Sequence, residues 1–469
     1  MKNIVPEARL IRVIAGLLLL GLAWGGPLAA ADAPQTLGER HQLPNGLVWL
    51  FSPQSDLPLI NMNLLIRAGV LQDPPAKAGL ANLTAELLLM GTKTRSAAQI
   101  AEALDFRGIK LGAGAADDYA VISLTVLKKD LAAGLELFKD ILLNPAFAPQ
   151  EVTRKVERLK AALKSDEDNP GVVVARAFNR QLFGAFPYGH PIRGTAEGLS
   201  AIKPPDLKEF HQRYYRPNNA ILSVVGDLSP EEANKLVQET FGPWPQAPIP
   251  ATQLPPIPPL NETRVSVINK DISQANILLG NLGIARRNPD FYALQVMNYI
   301  LGGGGFASRL MDNIRDNRGL AYAVGSAFDP GLEPGYFAVS LETKNVSADL
   351  AVKEVLAEIK RIQTQPVSPE ELADAKSYLI GSFPRKMDSM GKRARLMGVV
   401  EFYGLGLDYP WRYPGLIRGL TAADLQQVAQ KYLHPDKYLL VVVGKKSEMP
   451  PPLGEAAPLP AKEKKDASK

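Results

Sequence analysis

Two segments of this 469-residue chain repeat each other at a constant offset of 218 residues. In the first, Asp206-Leu207 precedes Phe210, Tyr214 and Pro217, and then Ile221-Leu222-Ser223-Val224-Val225-Gly226. In the second, Asp424-Leu425 precedes Val428, Tyr432 and Pro435, and then Leu439-Leu440-Val441-Val442-Val443-Gly444. Apolar residues at helical spacing, a Pro stop and a short β-branched run read as helix, turn and buried strand, used twice. A weaker echo pairs Pro149 and Glu151 with Pro369 and Glu371, each Pro placed to open a helix. A gapless match of this length means two copies of one domain. Two such copies joined by a spacer leave a cleft between them.

The copies divide at a Pro-rich stretch, 245–262, which begins Pro-Gln-Ala-Pro-Ile-Pro. Such a segment can neither pair in a sheet nor coil into a helix, so it is expected to run extended as a semi-rigid spacer. The first copy then covers 36–244 and the second 263–445, with a disordered tail over 446–469. Within the first copy, 46–51 and 59–68 read as strands joined by Pro53-Gln54-Ser55-Asp56, with a third strand over 119–126. Residues 130–142 read as an amphipathic helix starting near Asp130. Neighbouring strands followed by runs of helix predict an α+β fold, in which two duplicated domains of mixed or antiparallel sheet packed with helices close like a clam shell. A doubly wound parallel sheet would need stricter strand–helix alternation.

Residues 1–31 have the form of a secretory signal: Lys2, Arg9 and Arg12 in front, an apolar run over 13–24, then Ala29-Ala30-Ala31. The apolar run is too short for a stable membrane anchor, although an uncleaved anchor is the competing reading. A periplasmic protein is expected. The chain has no Cys, which excludes disulfides, thiolate catalysis and a lipidated N-terminal Cys. The net charge of +5 includes the basic leader and a Lys-rich tail, so the folded body is close to neutral and nucleic-acid binding has no electrostatic support.

Residues 79–92 read Gly-Leu-Ala-Asn-Leu-Thr-Ala-Glu-Leu-Leu-Leu-Met-Gly-Thr. This stretch resembles the zinc helix of the insulinase/pitrilysin peptidases, Gly-Leu-Ala-His-x-x-Glu-His with an apolar run and Gly-Thr. In that motif two His at i and i+4 share one helical face and a Zn²⁺, and the Glu activates its bound water. Here Asn82 and Glu86 stand at the ligand positions and Ala85 at the base position. Asn is a poor zinc ligand, and Ala cannot take a proton. The resemblance extends from about Gly38 to Gly444, through Leu43-Pro44-Asn45-Gly46-Leu47, Asp166-Glu167-Asp168-Asn169-Pro170, Tyr188-Gly189-His190-Pro191 and Gly194-Thr195. It continues through Ile300-Leu301-Gly302-Gly303, Ser308-Arg309-Leu310, Ile314-Arg315 and Gly319-Leu320-Ala321-Tyr322.

The family's third ligand is a Glu on a later helix. Its usual spacing from Glu86 lands on Ala161, Ala162 and Leu163, with Lys164 and Ser165 next and Asp166 and Glu167 nearby. If Lys164 faced the site it would put a cation where zinc should sit. The four histidines, His41, His190, His211 and His434, show no pair at helical spacing, and no Gly-x-Ser-x-Gly context supports a Ser-His-Asp site. Gly302 to Gly305 is not followed by Gly-Lys-Ser/Thr, so it reads as a flexible turn into the helix around Arg309 and not as a phosphate loop.

Arg315 and Tyr322 match a family pair that reaches from the second domain to substrate at the zinc site. A Tyr hydroxyl can donate to a scissile carbonyl or developing oxyanion, and an Arg can hold a backbone carbonyl or carboxylate. The resemblance therefore implies division of labour. This chain would bind no zinc itself and would be the non-catalytic subunit of an exported zinc endopeptidase. It would supply Arg315 and Tyr322 to a sister subunit that carries His-x-x-Glu-His and the zinc, acting on peptide or unfolded protein. Two alternatives stand beside it: a purely structural or peptide-binding scaffold, and an autonomous peptidase with a displaced site.

Overall fold

The computed structural model describes residues 35–453. The leader expected at 1–31 and the tail from 454 lie outside the described residues. The first copy builds a six-stranded sheet from β1 (Glu39–Gln42), β2 (Val48–Pro53), β3 (Leu59–Ile66), β4 (Lys110–Ala115), β5 (Ala120–Leu127) and β6 (Ala220–Gly226), in the order β1-β2-β6-β3-β5-β4. The second builds five strands, β7 (Arg264–Asn269), β8 (Gln274–Leu282), β9 (Ala321–Asp329), β10 (Tyr336–Lys344) and β11 (Leu439–Gly444), in the order β7-β11-β8-β10-β9. β2 pairs parallel with β6 and β7 parallel with β11, and the other pairings are antiparallel, so both sheets are mixed. The repeat in sequence is thus a repeat in topology, with β6 and β11 filling equivalent inner positions.

Those two strands are continuous apolar runs because both of their faces are covered. On β11, Leu440 and Val442 face a core built from the second copy's own helices. Leu439, Val441 and Val443 point the other way, onto Val174, Phe178 and Leu182 of the helix Pro170–Phe183. That helix belongs to the first copy, yet it packs on β8 and β11 of the second. The reverse exchange also occurs. The helix Met390–Phe402, from the second copy, packs on β3 and β6 of the first and places Ala394 and Met397 in one core with Leu65, Ile221 and Val225. Leu222 and Val224, on β6's other face, pack in the first copy's own core. Arg393 of the exchanged helix also donates to Leu37 O (2.7 Å) and Ser52 Oγ (2.9 Å).

The Pro-rich stretch carries no helix or strand over 245–262, as its composition dictates. It is nevertheless fixed in place. Leu254, Ile257 and Leu260 lie half-buried against the cluster around Phe183 and Phe186, and Asn218 Nδ2 donates to Ala247 O at 2.9 Å. The second copy runs past the boundary expected at 445. Lys446–Glu448 forms a short 3₁₀ turn, and Met449 and Leu453 are buried. Two apolar side chains among the prolines suffice to dock this start of the tail, so the disorder expected from 446 does not hold for residues 446–453.

Reciprocal helix exchange makes the two copies one cooperative unit. Phe178→Ala removes a fully buried ring from the face of the second sheet. It is expected to cost about 3–5 kcal/mol. Denaturant unfolding of this variant should show one transition, shifted equally for probes placed in either copy; a separate early transition of the second copy alone would contradict the shared core.

Candidate functional site

The helix Leu80–Leu87 is set by the loop before it. Asp73 caps its N-terminus, accepting from Gly79 N and Ala81 N, both at 2.7 Å. Burial outweighs these two donors and pushes the Asp73 carboxyl up to about 7. Gly79 has φ +100°, and a Cβ there would come within 2.8 Å of Gly194 Cα, so only glycine admits this crossing of two backbones. The helix then buries Leu80, Ala81, Leu83, Ala85 and Leu87.

Asn82 and Glu86 share one face, as i and i+4 positions must. Asn82 Nδ2 donates to Glu86 Oε1 at 3.3 Å. Glu86 Oε2 lies 2.5 Å from Lys155 Nζ, and the Lys155 side chain is 12% exposed. Lys155 comes from the helix Pro149–Ser165, whose apolar stripe of Val152, Val156, Leu159 and Leu163 packs inward. The cation beside Glu86 is therefore Lys155 and not Lys164, which borders a separate cavity of about 1230 Å³. Asp166 is taken by Arg176 and Arg193, and Glu167 borders the same separate cavity as Lys164. An amide, a carboxylate and an ammonium do not fit Zn²⁺: Asn is a poor ligand, and Lys⁺ neutralises the single carboxylate and repels a second cation. Ala85, fully buried, offers no base.

The histidines are dispersed. His41 stacks on Trp49 at 4.3 Å. His190 Nδ1 lies 3.1 Å from Pro191 O, and burial lowers its pKa. His211 Nε2 lies 2.8 Å from Leu142 O, and burial pushes it down to about 4. Among the described residues, no group of three or more His, Asp or Glu side chains is placed to hold a metal ion.

Arg315 and Tyr322 do come together, at the outer edge of the second sheet. Arg315 lies on the π-helical turn Met311–Asn317, and Tyr322 lies on the edge strand β9. In the register of β9 with β10, Ala321 faces Thr343 and Ala323 faces Glu342, which leaves Tyr322 as the extra residue of a bulge. A bulge re-aims the side chain it carries, and the Tyr322 side chain stands 81% exposed. The Arg315 guanidinium carbon lies 5.6 Å from the Tyr322 ring centroid and 4.7 Å from that of Phe306. Cation–π attraction to two rings holds the guanidinium between them. Phe306, itself 72% exposed, was not singled out by the sequence; an isolated aromatic after four glycines carries no periodic signal.

The Gly302–Gly305 stretch is not a loose turn. Tyr299–Gly303 winds as a π-helical turn and Gly305–Ala307 as a 3₁₀ turn. A Cβ on Gly302 would sit 2.6 Å from Ser326 N, so glycine lets this backbone lie against β9. Asn298 Nδ2 donates to Ser326 O at 3.1 Å and seals that part of the strand's edge. Below, Arg309 makes a two-pronged pair with Glu371 (2.6 and 2.8 Å), which anchors the start of the Arg315 turn. That guanidinium holds the Glu371 carboxyl down near 2.

The model of the family described as "Insulinase (Peptidase family M16)" matches residues 54–196, and that described as "Peptidase M16 inactive domain" matches residues 201–379. An uncharacterized zinc protease of Mycobacterium leprae is 30% identical over 330 residues, covering 68% of this chain and 73% of the relative. One from Rickettsia bellii is 29% identical over 393 residues, covering 83% and 93%. The crystal structure of a peptidase M16 inactive domain from Pseudomonas fluorescens superposes with a TM-score of 0.81 at 30% identity, over 87% of this chain and 97% of that one. A protease from Helicobacter pylori shares the fold, with a TM-score of 0.79 at 22% identity, over 88% and 100%. The chain belongs to the insulinase family of M16 peptidases.

Rebuilding the motif alone should not rebuild the metal site. A variant with Asn82→His, Ala85→Glu and Glu86→His keeps Lys155 and lacks a third ligand. Mass-spectrometric metal analysis of this variant is expected to find well under one zinc per chain; one tightly held zinc per chain would overturn this account of the site.

Proposed function

We propose that this chain is the non-catalytic subunit of an exported, periplasmic zinc endopeptidase. A sister subunit carries His-x-x-Glu-His and the zinc, and this chain presents Arg315 and Tyr322 to substrate bound there. The observation that carries the reading is the contrast between the chain's two candidate sites. Asn82, Ala85, Glu86 and Lys155 form a closed, self-neutralised set with no ligand geometry. Tyr322 stands exposed beside Arg315, whose half-buried guanidinium also pairs with the exposed Asp316 carboxylate at 3.3 Å.

The chemistry this pair can add is donation. A phenol O–H and a guanidinium, held on a bulged edge strand and a turn anchored by Arg309 and Glu371, can bind a peptide carbonyl whose oxygen gains negative charge as water attacks its carbon. Cation–π contacts fix the guanidinium in advance, so little reorganisation is needed on binding. Peptide or unfolded protein is the substrate class, because an extended backbone presents carbonyls to both subunits at once. The family membership supports the reaction type.

The test is reconstitution. The purified chain alone is expected to show neither bound zinc nor peptide cleavage, and its mixture with the sister subunit to show both. In that mixture Tyr322→Phe is expected to lower kcat by roughly 10²–10³-fold with KM little changed. Peptide hydrolysis by the lone chain, or full activity of the Tyr322→Phe complex, would refute the proposal.

A further inference from the structure

A second cluster of polar groups lies where the two copies meet. Asp117 and Asp118 sit in the turn between β4 and β5, and Asp329 ends β9. They border a cavity of about 340 Å³ with Tyr119, Tyr188, Tyr336 and Tyr403. Asp118 binds the copies together directly. Its Oδ1 accepts from the Tyr188 hydroxyl, and its Oδ2 accepts from Leu332 N at 2.9 Å and the Tyr403 hydroxyl at 2.7 Å. Leu332 lies in the turn between β9 and β10, and Tyr403 follows the exchanged helix Met390–Phe402. Three carboxylates thus crowd one junction, and among the described residues none of the three forms an ion pair. The basic side chains that reach the cluster act on its tyrosines: Arg395 on Tyr119 and Arg286 on Tyr403. His190 borders the same cavity, and its pKa is lowered by burial.

We infer that the Asp117–Asp118–Asp329 cluster is a proton-dependent clasp, which joins the two copies more tightly when it holds a proton than when all three carboxylates are charged. Like charges in one half-buried cavity with no cation between them repel, and a proton shared into the cluster removes that repulsion. Burial, then Asp329 and Asp118, push the Asp117 carboxyl up to about 6, and burial followed by Asp118 raises Asp329. The ordinary carboxyl value of an unfolded chain lies lower, so the folded protein keeps a proton there that the unfolded chain has lost. The contribution of Asp117 to stability is therefore complete in acid, below the unfolded value, and is lost as pH rises through about 6, and that of Asp329 has the same sign. His190 works in the opposite sense, because its folded pKa is lowered; what it contributes is lost as pH falls. Asp73, whose pKa is raised to about 7 and whose Oδ2 lies 3.8 Å from His190, has the same sense as Asp117, but its carboxylate accepts from Gly79 N and Ala81 N and not from the Asp329 turn.

The experiment compares the mature wild-type chain with Asp117→Asn and Asp73→Asn at pH 5.0 and 7.5, by thermal unfolding and by hydrogen exchange corrected for the intrinsic effect of pH. In the wild type, the 330–335 turn is expected to exchange faster at pH 7.5 than at pH 5.0. Asp117→Asn should raise the melting midpoint at pH 7.5 and make exchange of this turn the same at both pH values. Asp73→Asn should shift the midpoint but leave the pH response of the turn intact. If Asp117→Asn fails to fold, Asp329→Asn serves the same comparison. A turn whose exchange keeps the wild-type pH response in the asparagine variants would overturn the clasp. So would full protection of the wild-type turn at pH 7.5 on adding Ca²⁺, since a metal ion and not a proton would then be what the carboxylates hold.

Discussion

Each sheet in this protein has one face that only the other copy can cover. Leu439, Val441 and Val443 would be exposed without the Pro170–Phe183 helix, and Ile221 and Val225 without Met390–Phe402. Burying such side chains is worth roughly 1.5–3 kcal/mol each, so neither copy has a complete core by itself. The exchange has a functional consequence. It packs the copy that carries the Leu80–Leu87 helix and the one that carries the Arg315–Tyr322 edge around shared cores. In the proposed subunit role the zinc belongs to the sister chain, because Asn82, Ala85, Glu86 and Lys155 leave this helix without a ligand set.

At the degenerate helix the substitutions compensate each other. Losing the ligands alone would leave Glu86 as a half-buried charge without a counterion. Lys155 supplies that counterion at 2.5 Å, and Asn82 satisfies the other oxygen. The set is closed in charge, which is what a structural element requires and a metal site cannot tolerate. The helix keeps its glycine crossing at Gly79 and its Asp73 cap, so its position in the fold depends on backbone packing rather than on metal.

Much of this was legible in the sequence, for identifiable reasons. The paired strands β6 and β11 announce themselves because strands buried on both faces are unbroken apolar runs. The edge strand β4, Lys-Leu-Gly-Ala-Gly-Ala, is small and half-exposed, and it gives no such signal. The exchange of helices is invisible to periodicity, because an amphipathic stripe does not say which sheet it meets. Lys155 was missed for the same reason: counting residues from Glu86 led to Lys164, whereas the stripe of Val152, Val156, Leu159 and Leu163 decides which side chains face the Leu80–Leu87 helix. The nearness of Arg315 to Tyr322 followed from the resemblance, but the bulge that frees Tyr322 depends on β10, and nothing local to Tyr322 encodes it.

The exposed aromatics carry a separate argument. Phe306 and Tyr322 are the two most exposed large apolar side chains on the second copy, and they stand on either side of one guanidinium. Folding gains little from them: neither fills the core, and a bulge interrupts the ladder to turn one of them outward. Around them the chain invests in rigidity, with Gly302 set against Ser326, Asn298 sealing the strand edge, and Glu371 paired to Arg309. A fold that needed only stability would place polar side chains here and keep the strand regular. Rigid support beneath a preorganised cation and an exposed phenol is the arrangement expected where a surface must recognise something outside the chain.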